Sequence, residues 1–62
     1  MDLFDCVYLK NDRPDLGITT SNIGTIIDIV HNRYTVEFTD EFGNTIDSSL
    51  DTDFSVEELR KA

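Results

Sequence analysis

Among the 62 residues of this chain, the groups able to do chemistry are one His, one Cys and thirteen Asp or Glu. His31 is the natural candidate for a general base, because imidazole titrates close to neutral pH. It stands beside Asn32 and Arg33 in a polar stretch that reads as a solvent-exposed turn. Cys6 would need a nearby cation to become a reactive thiolate, and none adjoins it in sequence; on an apolar strand it reads as a small buried hydrophobe. A single cysteine makes neither an internal disulfide nor a thiolate zinc site. Asp47, Asp51 and Asp53 invite a calcium reading, but no Gly sits among them and the spacing departs from the EF-hand template. Gly17, Gly24 and Gly43 lie too far apart for a phosphate-cradling loop, and each is explained by a turn or bulge. The expectation is a chain that is not an enzyme and uses no metal or cofactor.

Charge is more informative than any motif. The formal net charge is -8, the wrong sign for neutralising nucleic-acid phosphates or an anionic membrane surface. Complementary fields would instead speed encounter with a basic protein. The negative charge is concentrated: residues 40–62 hold seven acids against two bases, which is -5 of the -8. Those acids are Asp40, Glu41, Asp47, Asp51, Asp53, Glu57 and Glu58. The opening Met1-Asp2-Leu3-Phe4-Asp5 has no basic segment leading into a long apolar one, so the expected location is cytoplasmic.

The elements that must position these groups are strands. Val, Ile, Thr, Phe and Tyr supply 23 residues against 16 from Ala, Leu, Met, Glu, Lys and Arg, with Gln absent. A first strand runs through Phe4–Leu9, with Val7 and Leu9 on one face. A long polar loop follows from Lys10 to Asn22, with Leu16 and Ile18 as anchors. Ile23–Val30 is the most apolar segment, but its alternation breaks at Ile26-Ile27. A bulge near Ile27 would turn Ile26 and Ile29 both inward. After the turn at His31-Asn32-Arg33, Tyr34–Thr39 alternates with period two and pairs back antiparallel. Asp40–Asn44 then makes a bulged turn in which Gly43 and Asn44 can take positive φ.

A fourth, polar edge strand is expected from Thr45, carrying Ile46 and Leu50 inward. The spacing Ser55-Val56-Glu57-Glu58 fits a capping box opening a single helical turn, beyond which Arg60-Lys61-Ala62 should fray. Together these elements predict one all-β domain over residues 1–62: a small SH3-like antiparallel barrel of four to five strands with a helical turn near the C-terminus. The predicted core is Val7, Leu9, Leu16, Ile23, Ile26, Ile29, Val36, Phe38, Ile46 and Leu59.

Asp5-x-Val7-x-Leu9, then Asn22-Ile23-Gly24-Thr25-Ile26-Ile27, then Tyr34-x-Val36-Glu37-Phe38 followed by Phe42-Gly43-Asn44-Thr45, resembles a small bacterial family catalogued as a domain of unknown function. It is also similar to KOW and SH3-like barrels, in which a Gly-x-Val element opens the second strand. The resemblance implies an SH3-like barrel without known enzymatic activity, associated with toxin-like proteins as an antitoxin or immunity protein. The chain departs from the family pattern at Asn22, where Asp is frequent, and over Ser48–Asp53, which is longer and more acidic.

These readings converge on a non-catalytic binding module whose acidic face masks a basic, nuclease-type toxin. Its expected contacts are Asp40, Glu41, Asp47, Asp51, Asp53, Glu57 and Glu58, with Phe42 and Tyr34 as aromatic anchors. The alternatives are an adaptor or accessory subunit using the 10–22 loop, and a homodimer formed through an edge strand.

Overall fold

The computed structural model describes all 62 residues. Four antiparallel strands, β1 (Cys6–Leu9), β2 (Gly24–Val30), β3 (Arg33–Phe38) and β4 (Leu59–Lys61), form one open sheet in the order β3-β2-β1-β4. Two short 3-10 turns, Asp47–Asp51 and Val56–Glu58, are the only helical segments, so the domain is all-β as its composition predicts. No helix is long and apolar enough to cross a membrane.

Alternation places Val7, Leu9, Ile26, Val36, Phe38 and Leu59 on one sheet face, all buried. Ile18, Tyr34 and Phe54 complete the core, and Phe54 meets Phe38 edge-to-face with ring centroids 5.5 Å apart. Leu16, Ile29 and Ile46 are half-buried against this cluster. The β2–β3 register slips between Ile26 and Asp28. The extra residue, Ile27, turns outward, while Ile26 is buried and Ile29 packs on the core, so the bulge lies where the alternation breaks. His31 and Asn32 both take positive φ, 51° and 62°, forming the tight hairpin turn that matches strand twist.

The 10–22 loop is more structured than its length suggests. Arg13 and Ile18 exchange backbone hydrogen bonds of 2.8 and 3.1 Å around Pro14–Gly17, with Gly17 at φ 72°. Pro14 presets the turn and Gly17 takes the left-handed position at no steric cost. Ile18 is thereby driven into the core.

Several expectations fail, each for a physical reason. No fourth strand runs from Thr45: that residue makes one isolated bridge to Thr39, and Asp47–Asp51 winds into a 3-10 turn. A 3-10 turn has three residues per turn, so it cannot turn Ile46 and Leu50 inward together. Ser49 is buried instead and Leu50 is exposed. Its hydroxyl donates to the Ile46 carbonyl at 2.7 Å and accepts the Phe38 amide at 3.2 Å, which satisfies a polar group in the core. Ser55 makes no side-chain cap: the Glu58 amide that its hydroxyl would accept donates to the Ser55 carbonyl at 3.1 Å, and the Glu58 carboxylate faces Arg13 at 3.7 Å. Arg60-Lys61-Ala62 does not fray. Residues Leu59–Lys61 pair with Leu9–Val7, and the Ala62 amide donates to the Cys6 carbonyl at 3.0 Å.

Gly43 has φ 82° but Asn44 does not join it in the left-handed region. Cys6 and Ile23 are exposed rather than buried. Closure is also partial: the free edge of β3 is met at Tyr34 by Phe54, through two 2.8 Å backbone hydrogen bonds, and at Phe38 by the Ile46 amide.

Candidate functional site

The loop 17–23 and the turn after β3 face each other across a shallow groove of about 530 Å³, lined by Gly17, Thr19, Ser21, Asn22, Ile23, Thr39, Asp40 and Glu41. Asn22 holds the two walls together. Its Oδ1 accepts the Thr19 amide at 2.7 Å and its Nδ2 donates to the Thr39 carbonyl at 3.2 Å. The Thr39 amide in turn donates to the Ile23 carbonyl at 3.0 Å. Two surfaces that are distant in sequence, the 10–22 loop and the Asp40-Glu41-Phe42 turn, are thus parts of one place.

Within that turn the side chains have different jobs. The Asp40 Oδ1 accepts the Phe42 and Asn44 amides, both at 2.9 Å, so its carboxylate shapes the turn. Glu41 is exposed on the groove wall. Phe42 stands 80% exposed at the tip, where its ring contributes no core packing. Tyr34 offers no such anchor, because it is 9% exposed and packed in the core. Phe54, which the predicted core omits, is fully buried instead.

The remaining acids lie on the two 3-10 turns and, in the case of Asp53, between them. Asp47 and Asp51 are exposed on the first 3-10 turn. Four residues at about 120° each put their side chains roughly a third of a turn apart, straddling the inward Ser49. The Ser48 hydroxyl donates to the Leu16 carbonyl at 2.6 Å, tying this acidic turn to the long loop. Asp53 is exposed, and its carbonyl accepts the Arg33 guanidinium at 3.1 Å, which sets a cation beside it. Glu57 is exposed on the second 3-10 turn. Glu58 is half-buried, its Oε2 enclosed without a hydrogen-bond donor and facing Arg13 at 3.7 Å. It is therefore the least available of the seven to an outside cation.

Arg13 also grips Asp15 through two hydrogen bonds of 3.0 and 3.1 Å. That pair holds the Asp15 carboxyl below the ordinary range and raises the guanidinium.

The potential catalytic groups do not meet. Cys6 pairs with Thr25 near the start of β2, and His31 lies six residues further on, past the strand's far end. That separation is about 20 Å of extended chain. No three His, Cys, Asp or Glu side chains converge as a metal site would require.

No curated protein and no solved structure matches this chain. The family model described as Domain of unknown function (DUF4926) matches residues 3–60, from the turn before β1 into β4. Strands β1 to β3, the bulge after Gly24 and the turn at Phe42-Gly43 all fall inside that span, and the chain belongs to this family.

Proposed function

We propose that this domain is a non-catalytic, cytoplasmic protein-binding module that masks a basic partner, a nuclease-type toxin being the partner its charge best suits. The observation that carries the reading is that Glu41 lines the same groove as the 17–23 loop, with an exposed Phe42 next to it in the turn that forms one wall, in a domain of net charge -8. An aromatic side chain that becomes buried on binding can anchor an interface, and carboxylates near it can pair with a partner's Arg and Lys. Inhibition would be steric and electrostatic, with Glu41, Asp47, Asp51, Asp53 and Glu57 covering the cations that otherwise hold substrate phosphates. Asp40 and Glu58 support the surface from within. The antitoxin or immunity role is the one the family resemblance implies. The groove's use of the 17–23 loop equally suits an adaptor that docks a basic segment of a larger complex.

The test is co-expression with a basic protein encoded beside the gene, followed by association kinetics at rising ionic strength. Binding should slow steeply with salt. Asp51→Lys with Asp53→Lys should reduce the association rate and flatten that dependence, and Phe42→Ala should speed dissociation. Failure to bind that neighbour, or kinetics indifferent to both changes, overturns the reading.

A further inference from the structure

The groove between the 17–23 loop and the turn after β3 is one-sided in its hydrogen bonding. Its side-chain donors are largely occupied within the walls: the Thr19 hydroxyl donates to Asn22 Oδ1 at 3.2 Å, the Thr39 hydroxyl to the Ile23 carbonyl at 3.4 Å, and Asn22 Nδ2 to the Thr39 carbonyl at 3.2 Å. Its carboxylates are not. Asp40 Oδ1 accepts the Phe42 and Asn44 amides, but Oδ2 has no donor, and Glu41 takes part in no hydrogen bond or ion pair within the molecule. The lining therefore offers acceptors to a group that brings donors. A phosphate or a carboxylate would instead meet two like charges there.

The domain's own cations do not fill that role. Arg13 is held by Asp15 and Glu58, Arg33 by the Asp53 carbonyl and Lys61 by Asp5, while the Arg60 guanidinium lies 4.7 Å from the centre of the Tyr8 ring. Lys10 is the fifth, and the groove lining contains neither it nor any other basic residue. A cation that neutralises Asp40 and Glu41 has to come from another molecule.

Ile23 supplies the rest of the match. It is the one large apolar side chain in the groove, and it is 41% exposed. Lys and Arg are built for such a surface: their methylene stems lie on apolar atoms while the charged head reaches an acceptor.

We infer that this groove takes a single Lys or Arg side chain of the partner, its stem along Ile23 and its head paired with the carboxylates of Asp40 and Glu41. The inference rests on the functional reading above and divides the work among the acids. The groove governs how long the complex lasts, whereas Asp47, Asp51, Asp53 and Glu57, which lie outside its lining, act on the approach.

The probe is the tripeptide acetyl-Gly-Arg-Gly amide, titrated into the isotope-labelled domain and followed by NMR. The control is the same peptide with citrulline, a neutral isostere of arginine. The amides of Ser21, Asn22, Ile23, Asp40 and Glu41 should shift with a dissociation constant of roughly millimolar order, and the citrulline peptide should leave them unmoved. Glu41→Gln should weaken the arginine peptide about fivefold. Glu57→Gln removes the same charge from a turn outside the groove and should change binding by less than about twofold. Both side chains are exposed, so both variants should fold as the parent does. Shifts confined to the acidic 3-10 turns, equal binding of the citrulline peptide, equal losses from the two variants, or no shift at all would each overturn the inference. A neighbour that binds with salt-dependent kinetics while these amides ignore the arginine peptide sinks the inference and spares the functional reading; groove shifts beside a neighbour that does not bind do the reverse.

Discussion

Gly24→Ala adds one methyl group where the structure leaves no room for it. A Cβ at this position would lie 2.5 Å from Val36 Cγ1 and 2.7 and 2.8 Å from Phe38 Cδ1 and Cε1. Apolar carbons rest at about 3.5–4.0 Å, so the neighbours must retreat by roughly 1 Å. Neither can do so cheaply. Val36 and Phe38 are fully buried, and Gly24 is paired opposite Phe38 in the β2–β3 ladder, so backbone hydrogen bonds fix the separation. The backbone of Gly24 lies outside the left-handed region, which makes the penalty one of packing and not of torsion. Overpacking of this kind costs about 1–3 kcal/mol, and reduced freedom of the unfolded chain returns about 0.4–1 kcal/mol.

With so close an approach the upper end applies, a net loss of about 2 kcal/mol. A domain this short has a total stability of roughly 3–9 kcal/mol, and each kcal/mol shifts its midpoint by about 4–8 °C. Thermal unfolding followed by circular dichroism should therefore show a fall of roughly 8–16 °C. Val36→Ala opens space beside the new methyl, so the double variant should be more stable than the sum of the single changes by about 0.5–3 kcal/mol. A Gly24→Ala midpoint within two degrees of the parent would refute the reasoning, as would strict additivity with Val36→Ala.

Three further perturbations test other parts of the structure. Ser49→Ala removes the acceptor of the buried Phe38 amide and should cost about 1–3 kcal/mol in urea unfolding; a neutral effect would mean that amide has another partner. Asn22→Asp replaces the Nδ2 that donates to Thr39 with a carboxylate and should cost about 1 kcal/mol at neutral pH, a loss that shrinks below roughly pH 4 as a protonated acid regains a donor. Asp5 is held below the ordinary carboxylate range by the Asp2 amide, with Lys61 adding to it, and Asp15 by Arg13. Both folded-state values are lowered, so their stabilisation is full above the unfolded value and disappears as pH falls through the folded one. Asp5→Asn and Asp15→Asn should therefore lower the midpoint at pH 7 and converge on the parent in acid; a difference that persists there would contradict the assignment.

The Asn22 result bears on how this chain differs from its family pattern. Asn is able to donate and accept at once, and here it does both, to Thr39 and from Thr19. That dual contact gives the departure a structural reason that the residue type alone does not reveal. Ser48–Asp53, the other departure, is the segment whose conformation differs most from the sequence reading. Its run of short polar residues, broken only by Leu50, fits an edge strand as well as a 3-10 turn. The choice between them rests on the Ser49 hydroxyl reaching Phe38 and Ile46, contacts that no local pattern encodes.

Where backbone periodicity and local stereochemistry decide the outcome, the amino-acid order was sufficient. It specified the inward faces of β1 and β3, the bulge at Ile26-Ile27, the turns at His31-Asn32 and Gly43, and the excess of negative charge in the last third. Tertiary structure decided whatever depends on a partner distant in the chain. Phe54 is buried because it bridges Tyr34 and meets Phe38, Leu59–Lys61 is a strand because β1 offers a free edge, and Ile23 is exposed because the groove opens beside it. The same cause brings the 17–23 loop to Glu41 and the Phe4 amide to the Ile26 carbonyl. Such pairings depend on long-range hydrogen bonds and packing, whose free energy exists only once the segments have met.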